Sequence, residues 1–134
     1  MNITTMDDLL TAARVQTRAQ RLLFVFAKAE LPPESSPSQQ AQFLAGQGGA
    51  LVPVVCVDKT PDELTGMAQL LQESQALGVA WTVVFVTTMS GQPDQAPSSA
   101  EAEPVLERLV AQIKAGQLEG LVPFDREGNT VKLH

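Results

Sequence analysis

The run Leu22-Leu23-Phe24-Val25-Phe26-Ala27 constrains this chain more than any other feature. It has the length of a strand, is rich in branched and aromatic side chains, and contains no polar residue to mark a solvent face. Strand side chains alternate between faces, so such a run needs cover on both sides. Two further apolar runs follow, Leu51–Val57 and Trp81–Thr87. Pro53 removes a backbone donor from the first of these, which confines it to an edge, a strand start or a bulge.

Helical patterns lie around these runs. Thr5 stands three residues before Asp8, and Met6, Leu9, Leu10 and Ala13 recur at helical spacing, which predicts a helix over about 6–16. Ser36-Pro37 with Gln39 predicts a short helix over about 37–45, stopped by Gly46. Thr60-Pro61-Asp62-Glu63 combines a cap, a proline and an acid at a helix start. Leu64, Met67, Ala68 and Leu71 continue it as one stripe, and Gly78 stops it. After a polar loop over Met89–Pro97, Ser98 or Ser99 caps another helix that turns Leu106, Leu109, Val110 and Ile113 inward and ends at Gly116. Gly120–Phe124 and Thr130–Leu133, joined across 125–129, predict a closing hairpin.

Strands alternating with helices predict a single α/β domain over residues 1–134. The expected architecture is a three-layer sandwich with a mostly parallel sheet, a helix at the N-terminus and a C-terminal β-hairpin. A thioredoxin-like sheet without a CxxC pair is the alternative, because the order from strand 51–57 onward is β-α-β-α-β-β.

Charge narrows the partners. The chain carries 15 acidic and 9 basic side chains, a formal charge of −6. Residues 60–107 hold no Lys or Arg but contain Asp62, Glu63, Glu73, Asp94, Glu101, Glu103 and Glu107. A field of that sign repels phosphate, so nucleic acid is not an expected partner. No basic and apolar leader opens the sequence, and the longest apolar run falls far short of the roughly 20 residues that span a bilayer. With a single Cys, the sequence suits a soluble protein of the reducing cytoplasm that does not engage membranes. One Cys and one His also rule out an intrachain disulfide and a Cys/His zinc site, and no cofactor is expected.

In a parallel α/β sheet, ligands bind beyond the carboxyl ends of the strands. Those ends would carry Asp58 and Lys59, followed by a helix start, and Thr88 and Ser90. Lys59 could steer a small anion while Asp58 accepts a proton; the alternative is that both are solvated strand-end residues. Cys56 shares a face with Asp58, and a carboxylate neighbour opposes thiolate formation, so a small buried side chain competes with a reactive thiol. His134 approaches Cys56 only if the closing hairpin lies beside it. Arg14, Arg18 and Arg21 are spaced as one helical stripe, either a partner surface or a solvated face. The paired acids Asp7/Asp8 and Asp62/Glu63 compensate helix dipoles.

Three segments, Arg21–Pro32, Val54–Leu64 and Trp81–Val86, together resemble a family of small uncharacterised bacterial proteins of about this length. Some members carry a label relating them to the ribonucleotide reductase large subunit. The resemblance implies a bacterial cytoplasmic protein and transfers no catalytic residue. Ribonucleotide reduction needs a radical-bearing cysteine and a reducing cysteine pair within a large barrel, which one cysteine in 134 residues cannot supply. The sequence therefore points to a non-catalytic protein acting through a protein partner or as a homodimer. A small-anion site around Asp58 and Lys59 is the alternative.

Overall fold

Each residue from Leu22 to Ala27 is at most 1% exposed, at the centre of strand β1 (Gln20–Glu30). The structure is a computed structural model that describes residues 3–30, 37, 50–78 and 80–131. Its other elements are α1 (Met6–Arg14), β2 (Ala50–Lys59), a 3₁₀ turn (Pro61–Glu63), α2 (Met67–Ala76), β3 (Val83–Ser90), α3 (Ser99–Lys114) and β4 (Val122–Phe124). The helix expected over 37–45 lies outside the described residues, apart from Pro37.

The strands form one sheet in the order β2-β1-β3-β4, and every neighbouring pair is antiparallel. This corrects the mostly parallel sheet expected from the sequence, and with it the thioredoxin-like alternative, which also has parallel neighbours. Burial on both faces is a property of a central strand, whichever way its neighbours run. The apolar run of β1 therefore reported position and not direction. β2 and β3 do run the same way on either side of a helix, but β1 is inserted between them.

Alternation along β1 divides the core in two. Leu22, Phe24 and Phe26 pack with Val84, Val86 and Phe124 beneath α1 and α2, which contribute Met6, Leu9, Leu10, Met67 and Leu70. Leu23, Val25 and Ala27 pack with Val83 and Phe85 beneath Leu106, Leu109 and Ile113 of α3. Burying one such side chain contributes roughly 1.5–3 kcal/mol, so few of them can be spared. No described helix is long and apolar enough to cross a membrane.

Caps fix where the helices start. The Thr5 hydroxyl accepts from Asp8 N at 3.1 Å, and the Asp8 carboxylate accepts in return from Thr5 N at 3.2 Å. Ser98 and Glu101 repeat this arrangement at α3. The hydrogen bonds from Thr4 and Thr5 hold the Asp8 carboxyl below its ordinary range. Glu63 is lowered in the same way by Thr60. The Thr60–Glu63 box opens only a single 3₁₀ turn, not the continuous helix expected. Leu64, fully buried, leaves helical geometry, and α2 restarts at Met67, whose N–H donates to Asp7 Oδ1 at 3.3 Å. Arg14 ties the same turn to α1 by donating to the carbonyls of Pro61 at 3.2 Å and Leu64 at 2.8 Å.

Trp81 joins these layers. Its ring meets Phe26 edge-on with centroids 5.0 Å apart, and its Nε1–H donates to Ser74 Oγ at 2.9 Å. The Arg126 guanidinium lies 4.8 Å from the Trp81 ring centroid and donates to the Trp81 carbonyl.

Chain reversal after β4 uses Asp125, whose Oδ1 accepts from the N–H groups of Glu127 and Asn129, and Gly128 at φ +85°. Thr130 bridges back to Phe124, so this end folds over as a hairpin; residues 132–134 lie outside the described residues. The hairpin stands on the β3 side, with β1 and β3 between it and Cys56.

A Cβ at Gly128 would sit 2.8 Å from Met67 Cγ, whereas one at Gly116, φ +76°, meets nothing within 4 Å. Gly116→Ala is therefore expected to lose about 1–2 kcal/mol from the left-handed backbone alone. Gly128→Ala should lose clearly more. Denaturant midpoints measure both, and equal losses would mean that the Met67 contact does not constrain the turn.

Candidate functional site

Among the described residues β2 is the edge of the sheet, and its register with β1 breaks between Phe26 and Ala27, which face Val55 and Pro53. Val54 is the extra residue of this bulge and is 38% exposed. Pro53 thus occupies an edge and a bulge together, two of the places a strand tolerates proline. Beyond the bulge, Cys56 and Asp58 point toward the α3 face of the sheet, opposite Val25 and Leu23.

Between β2 and α3 runs an open groove of about 550 Å³. Cys56, Leu106 and Val110 supply its apolar floor, and Asp58, Glu103 and Glu107 its polar rim. Its end at the α3 N-terminus is closed by a clamp. Arg21 Nη1 lies 2.6 Å from Asp58 Oδ2, and the Ser99 hydroxyl donates to the same oxygen at 2.7 Å. Arg21 Nε also donates to the Pro97 carbonyl. Three segments, the start of β1, the end of β2 and the start of α3, are thereby held on one guanidinium.

The electrostatics argue against nucleophilic chemistry here. Asp58 Oδ2 is already engaged by a cation and a hydroxyl. Cys56 is exposed at the groove rather than buried as a core residue. Partial burial pushes its thiol above the ordinary value of 9.0, and the charges of Asp58 and Glu107 push it further. The neutral thiol therefore dominates at neutral pH, and the thiolate is the reactive form.

The other residues singled out in the sequence disperse. Lys59 faces the opposite side of the sheet and pairs with Glu73 at 2.9 Å. Lys59 and Thr88 flank Leu22 from either side, two strand spacings or roughly 10 Å apart. Thr88 and Ser90 line a second groove, about 380 Å³, with Gln16, Gln20 and the apolar side of α1. Ser90 Oγ accepts from Gln20 Nε2 at 2.9 Å, and among the described residues no cationic side chain lines that groove. The structure thus does not bring Asp58, Lys59, Thr88 and Ser90 to one point. Nor do Arg14, Arg18 and Arg21 form a stripe, because α1 stops at Arg14. Arg14 and Arg21 are engaged in the bonds described above, Arg21 half-buried and Arg14 still exposed, and Arg18 is exposed as well.

Glu103 and Glu107 escaped sequence reasoning as site residues, although their i, i+4 spacing places them on one helix face. Among the described residues, no group of three His, Cys, Asp or Glu is arranged to hold a metal ion. Compared with models of protein families, with curated proteins and with solved structures, the chain matches none.

Replacing Glu107 by Gln removes one of the charges that disfavour the Cys56 thiolate. Alkylation of native Glu107→Gln by iodoacetamide near pH 8 should accelerate by roughly twofold to fivefold. The two proteins should react alike once unfolded. An unchanged native rate would mean that Glu107 does not act on the groove.

Proposed function

We propose that the chain is a non-catalytic cytoplasmic docking protein that receives another polypeptide along the edge of β2. The observation that carries this reading is the edge itself. β2 is ten residues long, its side chains are half-buried or exposed on both faces wherever described, and an open groove runs beside it. An edge strand of this length is a template for an added strand unless it is blunted, and here the bulge blunts only its middle. The groove supports binding over chemistry, since Cys56 is held as a thiol and the Ser99 hydroxyl and Asp58 are bonded to each other beside Arg21. A single unpaired cysteine suits a reducing compartment.

A photo-crosslinking residue tests the surface directly. Placed at Val54 in the full chain in cells, it is expected to give an adduct with another polypeptide. Placed at Glu127, in the turn beyond β4 at the far edge, it should give none. Equal yields at the two positions, or no adduct at Val54, would overturn the proposal.

A further inference from the structure

Resting on that docking edge, we infer that the groove selects an extended segment of a different protein carrying two cationic side chains, Lys or Arg at i and i+2.

The bulge confines a regular added strand to residues 55–59, the half of β2 that borders the groove. A strand laid there would lie about 4.8 Å outside β2, with alternate side chains on the groove face about 7 Å apart. Glu103 and Glu107 stand one helical turn apart on the groove side of α3, a rise of about 6 Å. The two spacings match, so one strand face can present a cation to each carboxylate. Both glutamates are exposed, and neither forms an ion pair among the described residues. Asp58, the third acid of the rim, is already neutralised by Arg21. Cys56, Leu106 and Val110 offer an apolar floor for the aliphatic stems of Lys or Arg.

The chain's own sequence decides between self and non-self. Its cations are Arg14, Arg18, Arg21, Lys28, Lys59, Arg108, Lys114, Arg126 and Lys132, and no two stand two residues apart. A second copy therefore cannot supply the pair from one strand. Residues 31–49, which join β1 to β2, contain no Lys or Arg. Charge complementarity is left to a separate basic partner.

Two synthetic peptides of identical composition, rich in Thr and Val, test this. One carries lysines at i and i+2 and the other at i and i+1, where an extended chain sends them to opposite faces. The second isomer keeps one lysine on the groove face, so the first is expected to bind about threefold to fivefold more tightly, the upper scale of one exposed ion pair. Glu103→Gln/Glu107→Gln should abolish the difference, while Asp94→Asn should preserve it. Trp81 fluorescence reports that each variant is folded. Equal binding of the isomers to the native chain, or a preference that survives the double substitution, would overturn the inference. Amide exchange of the complexes separates the two readings. Peptides that bind equally but protect residues 55–59 sink the cation pair and leave the docking edge standing, whereas binding without that protection sinks both.

Discussion

Everything in this molecule is arranged around the need to cover β1 twice. Six consecutive buried side chains demand apolar neighbours above and below, and α1 with α2 supplies one cover while α3 supplies the other. Strands flank β1 on both sides, which completes its backbone hydrogen bonding. The consequence falls on β2. It pairs with β1 along one side, and among the described residues no strand pairs with its other side. The residue types follow this placement: β1 is apolar through its centre, whereas β2 carries Pro53, an exposed Val54 and the charged pair Asp58-Lys59.

Arg21 converts that edge into a defined surface. The end of β2 is already paired with β1, but without a tether the start of α3 would be joined to it only by packing near the rim. One guanidinium serving Asp58 and the Pro97 carbonyl fixes the α3 N-terminus against the end of β2, with Ser99 adding its own bond to Asp58. α3 then runs back along β2 and leaves a channel instead of sealing it. The negative charge of the rim is thereby reduced to Glu103 and Glu107, the two acids without an internal partner among the described residues. The charge of −6 acquires a location in this way, and a local pair of carboxylates recognises spacing better than a diffuse acidic coat would.

Much of the element order was legible, because it rests on local chemistry. Thr5 with Asp8, and a cap at Ser98 or Ser99 that the structure resolves to Ser98, announce two helices, and the apolar runs announce three strands. Strand direction was not legible, because it depends on how the chain returns between β1 and β2, over residues whose composition is not diagnostic. The Thr60–Glu63 box misled for a different reason. Its capping bonds do form, but they cap one 3₁₀ turn, since Leu64 is drawn into the core and Asp7 and Gln69 organise a second start for α2. The strand-end site was inferred from a parallel sheet, and its residues dispersed when the directions changed. Arg21 looked like one member of a surface row, and no pattern in the sequence pairs it with Asp58. By contrast, Glu103 and Glu107 were readable as one helix face, but nothing showed that the face borders a strand edge.

Amide hydrogen exchange of the isolated protein tests the open edge most directly. The centre of β1 should exchange only through global unfolding, while the outward amides between Val55 and Lys59 should exchange close to the unprotected rate. Protection along residues 55–59 as strong as that of Leu22–Ala27 would contradict an edge free to receive a partner.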